Sequence, residues 1–315
     1  MSASSWLGSR TAAAPPRWRE LEESARAVRR WKVLHAGSAP HDLQLLTEAQ
    51  AKLGMRPSFA LSLAVGSTSR PGLLGSWNEV KTWRTQLAAS GAGAADVVHA
   101  HEFAAGMAAL RAGYPLVYAF RAPLEDWREG GFQAGAWLRR SMRVAEQFLL
   151  TRAGAVVVHS HAMWNRAVGR GVATENLFLI PDPIGCGGED ADFDWLRRLV
   201  GERNSVILYA PGIVLDSTVS PEAKILLEAF AFVREELEGA RLLLQTRSPG
   251  EIGNDGVTAI GAADAERALA AADVVISFAD SEGPDAVALA AMSRGRPLLS
   301  ADRAGMREVS ADGRG

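Results

Sequence analysis

Cysteine is almost missing from this chain: Cys186 is the one thiol in 315 residues. A single cysteine excludes an internal disulfide framework and suits a reducing compartment. No apolar run approaches the roughly 20 residues that a membrane-crossing helix needs. The opening "MSASSWLGSRTAAAPPRWRELEESARAVRRWK" carries acids and no continuous apolar stretch, so no secretory signal is expected there. It reads as a polar lead followed by a short helix over 18–30. No cysteine–histidine cluster has the spacing of a zinc site. Low-complexity segments and repeats of fixed period are also missing, and tryptophan stops at Trp195.

What is present is the composition of a soluble globular protein, 48% hydrophobic and 22% charged, with a length that suits two domains. The net charge of −2 hides an asymmetry. Residues 1–184 hold 21 basic and 14 acidic side chains, whereas residues 185–315 hold 13 and 22. The boundary is expected at 185–203, where "PIGCGGEDADFD" interrupts the pattern with glycines and acids. This divides the chain into an extension (1–31), a first lobe (32–184), a linker (185–203) and a second lobe (204–315). The basic first lobe could meet an anionic partner or a membrane surface, or simply show a solvated basic face.

Within each part, apolar β-branched runs alternate with helical patterns. "KVLHAG" (32–37) precedes a helix through Leu43, Leu46, Ala49 and Leu53. "FALSLAV", "DVVHAH" (96–101), "PLVYAF" (115–120), "AVVVHS" (155–160) and "NLFLIPD" (176–182) follow, with a long helix over 132–152. The alternation restarts with "VILYAPG" (206–212), a helix over 220–239, "RLLLQT", "VTAIG", "DVVISF" and "RPLLSA". Strands apolar throughout and separated by helices predict parallel sheets covered on both faces, with ligands beyond the carboxyl ends of the strands. The HxH pairs His99/His101 and His159/His161 fall at such strand ends. They read as side chains packed in or lining a cleft, and no metal site is expected.

The corner "SFADSEGPDAVALAAM" is the most informative. Pro284 suits a first helical turn, because its missing N–H would be unpaired there. Gly283 permits close backbone approach, and the free amides of the turn suit a phosphate. Glu282 could accept hydrogen bonds from sugar hydroxyls; a plain turn acid or helix cap is the competing reading.

The surrounding residues resemble the retaining GT-B glycosyltransferases of the GT4, or "group 1", family. The resemblance rests on Asp273, Ser281, Glu282-Gly283, Ala291-Met292, Gly295, Pro297, Gly305, Glu308 and Asp312-Gly313, in that order. "DVVHAHEFAAGMAALRAGYPLVYAF" and "AVVVHSHAMWNRAVGRGVATENLFLIPDPI" are similar to the family's first-lobe segments. The resemblance implies an α/β GT-B fold of two Rossmann-like, doubly wound lobes with a cleft between them. It also implies retaining hexosyl transfer from a nucleotide-diphosphate sugar to a polysaccharide or glycolipid acceptor. No cofactor and no metal would be needed. The donor side would use Gly212, Glu282, Gly283, Pro284 and Asp285; Gly37, His101 and Arg121 would face the cleft from the first lobe, with Glu282 and Arg121 nearest the chemistry. Stabilising the leaving diphosphate demands positive charge and aligned donors. The expected partners are the nucleotide sugar and a saccharide or lipid-linked acceptor, not nucleic acid. The setting is cytoplasmic, with peripheral contact on an anionic membrane face.

The departures from the family concentrate at the donor site. Ala290 stands where a second glutamate is usual, a loss on the order of 1.5–3 kcal/mol of charged hydrogen bonding. Ile213 and Pro221 replace the basic residues expected on the diphosphate, with Lys224 one turn further on. Asp285 would repel a phosphate at the helix start. Arg121 takes the place of a histidine and either supplies charge or pairs locally with Glu125 or Asp126. The family's chains continue beyond "SADGRG", which implies an incomplete second lobe here. A degraded pseudo-glycosyltransferase serving as a partner or regulatory subunit is therefore the alternative, and a nucleotide-sugar epimerase a more distant one. The helix "FQAGAWLRRSMRVAEQFLLTRAG" sets Arg139, Arg140, Arg143 and Arg152 beside Trp137, Phe148 and Leu149. It is expected either to dock on anionic lipid or to cover the sheet and show its arginines to water.

Overall fold

The computed structural model describes residues 31–37, 40–60, 73–126, 135–182, 184, 205–211, 221–245, 256–278 and 285–310. The expected helix over 18–30 and the linker at 185–203, Cys186 included, lie outside them.

Eleven strands among the described residues form two wholly parallel sheets. The first contains β1 (Lys32–Ala36), β2 (Arg56–Ala60), β3 (Val97–Ala100), β4 (Leu116–Ala119), β5 (Ala155–Val158) and β6 (Leu177–Leu179), in the order β2-β1-β3-β4-β5-β6. The second contains β7 (Val206–Ala210), β8 (Ala240–Gln245), β9 (Val257–Ile260), β10 (Val274–Ser277) and β11 (Leu298–Ser300), in the order β11-β10-β7-β8-β9. The helices between them are α1 (Pro40–Lys52), α2 (Leu73–Ala89), α3 (Phe103–Ala112), α4 (Ala136–Leu150), α5 (His161–Gly169), α6 (Pro221–Glu236), α7 (Ala265–Ala271), α8 (Ala286–Ser293) and α9 (Ala304–Val309). This is the α/β, GT-B type of architecture. By packing, the chain divides into two compact units after Tyr118, within β4.

The strands form where the sequence has apolar runs because their residues are buried on both faces. Leu34, Val98, Val156 and Val158 are at most 1% exposed, as are Ile207, Leu242 and Leu243. The helix α3 packs through small side chains; Ala104, Ala105, Ala108 and Ala109 are all buried. It ends at Gly113, whose φ of 77° suits glycine alone. The strand described at Arg56–Ala60 includes Phe59 and Ala60 of "FALSLAV", and residues 61–72 are outside the described set.

Two aspartates of the family pattern have a plain structural role, the same in both sheets. Asp96 precedes β3; its Oδ2 accepts the N–H of Lys32, and its own N–H bonds the carbonyl of Lys32. Asp273 precedes β10; its Oδ2 accepts the N–H of Ile207, and its own N–H bonds the carbonyl of Ile207. Each acid thus closes the start of a central strand pair, satisfying an amide at or next to the first residue of the neighbouring strand.

The strand orders locate the functional ends. In each sheet the chain builds outward on one side of its first strand and then returns to the other side. The reversal falls between β1 and β3 in the first sheet and between β7 and β10 in the second. Such reversals open a crevice at the carboxyl ends of the two strands, where ligands of doubly wound sheets bind.

Candidate functional site

The reversal in the second sheet coincides with the corner singled out in the sequence. Strand β7 ends at Ala210 and β10 at Ser277. Gly212 follows the first; Glu282, Gly283 and Pro284 follow the second; with Ile213, all lie outside the described residues. Asp285 is described, and it is the N-cap of α8. Its Oδ1 accepts the N–H of Val287 at 3.2 Å, and its Oδ2 accepts the hydroxyl of Ser277 at 2.5 Å. The carboxylate therefore occupies part of the helix start that the sequence suggests for a phosphate. An aspartate is a favoured cap because it satisfies a free amide and complements the helix dipole.

Ala290 is half-buried and packs with Val287 and Leu298 against the core around Ile207, Tyr209 and Leu243. The backbone of Pro221 opens α6, and Lys224 is 74% exposed on its side chain, 4.0 Å from Glu228.

The first sheet's reversal gathers histidines. Strands β1 and β3 pair with His35 opposite His99. His101 lies two residues further and so on the same face of the sheet. His35 is fully buried, and its Nδ1 is 3.1 Å from His101 Nε2. Its Nε2 is 2.8 Å from Gln50 Oε1, on α1. The ring centroids of His99 and His101 are 4.2 Å apart, and those of His35 and His99 are 5.2 Å apart. Burial pushes the His35 pKa down, and the hydrogen bond to Gln50 opposes that shift only in part. Gly37 is there for space: a Cβ on it would stand 2.9 Å from the Cβ of His101. The structure thus brings Gly37 and His101 together, as the sequence suggests, and adds His35 and Gln50, which it does not. The signal for His35 was present, since "KVLHA" and "VVHA" both place a histidine just before the final alanine of the strand.

Arg121 follows β4 and pairs with Asp182, Nη2 to Oδ1 at 3.0 Å. This corrects the local partners expected, Glu125 and Asp126. His159 shares Asp182 at 3.3 Å and donates from Nδ1 to the carbonyl of Ile180 at 2.7 Å. Three successive strands, β4, β5 and β6, thus bring Arg121, His159 and Asp182 together at their carboxyl ends. Sequence proximity cannot reveal a partner 61 residues away.

The second HxH pair separates, because His161 begins α5 and is 75% exposed on its side chain. Glu308, the acid of the family's C-terminal motif, caps that helix. Its Oε2 accepts the N–H of His161 at 2.8 Å and its Oε1 that of Ala162 at 2.9 Å, while Ser160 Oγ accepts from Met163. Three free amides of one helix start are satisfied in this way.

Glu125 meets other arginines. It receives two hydrogen bonds from Arg143, at 2.7 and 2.9 Å, and an ion pair from Arg170 at 2.9 Å. Burial alone would raise its carboxyl, but the Arg143 hydrogen bond and the charges of Arg170, Arg143 and Arg166 outweigh that and hold it low. Glu146, fully buried on α4, is bridged by the same Arg170 and accepts the N–H of Leu124 at 2.9 Å. For Glu146 burial wins, and its pKa is pushed up to about 7 against the pull of Arg170.

Helix α4 shows two faces. Met142, Glu146, Leu149 and Leu150 are buried, whereas Trp137, Val144 and Phe148 are 74%, 58% and 41% exposed. The apolar residues therefore do not all cover the sheet. Those at 137, 144 and 148 form a stripe at helical spacing on the outer side, and Arg152 stacks 3.9 Å from the Phe148 ring. No helix among the described residues is long and apolar enough to cross a membrane.

Comparison with known proteins accords with this architecture. Residues 9–183 match the family described as glycosyl transferase 4-like domain, and residues 214–315 match glycosyl transferases group 1. A search of curated sequences gives no match. Among solved structures, the Anabaena HepE protein in complex with UDP-glucose is 18% identical with a TM-score of 0.57, covering 89% of this chain and 82% of that one. Sucrose-phosphate synthase from Thermosynechococcus elongatus is 14% identical with a TM-score of 0.58, covering 88% and 83%. The UDP-GlcNAc 2-epimerase from Neisseria meningitidis, bound to UDP-GlcNAc, is 12% identical with a TM-score of 0.57, covering 89% and 85%. At these identities the likeness is one of fold.

Proposed function

We propose, because the chain belongs to the glycosyl transferase 4-like, group 1 family, that it transfers a hexosyl group from a nucleotide-diphosphate sugar, with retention, to a saccharide or lipid-linked acceptor. The observation that carries this reading is the reversal between β7 and β10 in the second sheet, from which the segments bearing Gly212 and Glu282 depart. In this reading Glu282 accepts from the donor sugar, and the amides from Gly283 to Asp285 lie near the diphosphate. Arg121 acts from the first sheet, with its charge balanced by Asp182 until an anion competes for it. No cofactor is assigned to the reaction. The setting is cytoplasmic, and the stripe of Trp137, Val144 and Phe148 beside Arg140 and Arg152 supports peripheral contact with an anionic membrane.

A second reading, loss of catalysis with retention of the fold as a partner subunit, is favoured by two observations. The carboxylate of Asp285 sits at the start of α8, and Ala290 leaves no side-chain acceptor at its position. Incubation with UDP-, GDP- and ADP-hexoses separates the two. Release of nucleoside diphosphate that disappears in Glu282→Ala supports the transferase reading. No release from any donor, with or without a saccharide acceptor, supports the second.

A further inference from the structure

We propose that His35, His99 and His101 form a binding site for one borderline divalent transition-metal cation, Zn2+ by preference. The site does not depend on the transferase reading.

One imidazole nitrogen from each of the three residues lies within 4.8 Å of the other two. A tetrahedral Zn2+ with bonds of about 2.0–2.1 Å holds its ligand nitrogens roughly 3.4 Å apart. His35 Nδ1 and His101 Nε2, at 3.1 Å, already stand near that spacing. His99 and His101 are only half-buried, and a ring nitrogen of His99 lies within 4.8 Å of the nitrogens that His35 and His101 offer. The backbone needs no change, because strand pairing fixes His35 against His99 and the missing side chain of Gly37 leaves room for His101.

Gln50 supplies the outer support such sites use. With its Oε1 accepting at 2.8 Å, His35 carries its proton on Nε2. The lone pair on Nδ1 is then the one directed at His101. Metal-binding histidines almost always anchor the second ring N–H in this way, which fixes both tautomer and ring orientation. Three imidazoles without a carboxylate favour Zn2+, Cu2+ or Ni2+ over Mg2+ or Ca2+. Three protein ligands also leave a fourth position for water.

The test uses untagged full-length protein, stripped with EDTA, dialysed against Zn2+ or Mg2+, and assayed for bound metal. One Zn2+ per chain and no Mg2+ is expected. Binding should survive Cys186→Ser, disappear in His99→Ala and in His101→Ala, and weaken about 10-fold in Gln50→Ala. Absence of Zn2+ from the wild type, loss on Cys186→Ser, or retention in both histidine variants would overturn the proposal. Should a histidine variant fail to fold, the Co2+-loaded wild type decides. A tetrahedral absorption spectrum without thiolate charge transfer supports the site, and the spectrum of hydrated Co2+ refutes it. None of these measurements involves a sugar donor, so the outcome stands apart from that of the transferase assay.

Discussion

Ser277 donates its hydroxyl to Asp285 Oδ2 at 2.5 Å, tying the end of β10 to the cap of α8. The same carboxylate accepts from Val287, so it is held where a bound diphosphate would compete for the helix start. Asn caps helices about as well as Asp. Asp285→Asn should therefore leave thermal stability within about 0.5 kcal/mol of wild type and raise nucleotide-diphosphate affinity roughly three-fold by removing the charge. Asp285→Ala, which also loses the cap, should cost about 1 kcal/mol of stability. Thermal melts and nucleotide titrations of the two variants check both statements; unchanged affinity in the Asn variant would place the diphosphate elsewhere.

That a helix follows Pro284 was legible, but its first residue was not: the sequence suggests Pro284 in the first turn, whereas Asp285 is the N-cap and α8 begins at Ala286. Nor was the bond from Ser277 to Asp285 legible, since it depends on how β10 meets α8. The strands 32–36, 97–100, 155–158 and 206–210 were equally legible, because residues buried on both faces must be apolar throughout. Helix α2 was harder to see. Val80, Trp83 and Leu87 recur at helical spacing and are buried, but Gly75, Ser76 and Asn78 dilute the pattern in its first half. In the candidate sites, Gly37 and His101 were readable from motif position. Partnerships such as Arg121–Asp182 and His161–Glu308 arise from strand order and helix placement, which a linear pattern does not carry.

The buried Glu146 gives the fold a pH dependence of definite sign. Burial raises its carboxyl from an ordinary 4.5 to about 7, despite Arg170. The folded state thus binds the proton more tightly than the unfolded chain. The stability this provides is fully present below about 4.5 and is lost as pH rises through about 7. Glu125, held low, acts in the opposite sense and withdraws its contribution as pH falls through its folded pKa. Glu146→Gln should remove the decline between about 4.5 and 7 and leave the acid limb in place. Denaturant unfolding across that range measures the difference, and an unaltered slope would contradict it.

Exposure of Trp137 and Phe148 on α4 is testable with lipid. The wild-type protein should sediment with vesicles containing anionic lipid, and less so as salt is raised. Trp137→Ser combined with Phe148→Ser should abolish that binding while changing stability by no more than about 0.5 kcal/mol per site. Failure of the wild type to sediment with anionic vesicles would remove the membrane contact from the proposed function.

Nucleotide-sugar binding at the β7–β10 reversal is the central claim, and calorimetric titration with UDP, GDP, ADP and their hexoses tests it most directly. At least one sugar nucleotide should bind with a dissociation constant below about 1 mM, and Glu282→Ala should abolish that binding without lowering the melting temperature. Binding weaker than about 1 mM for every nucleotide, or binding unaffected by Glu282→Ala, would contradict it.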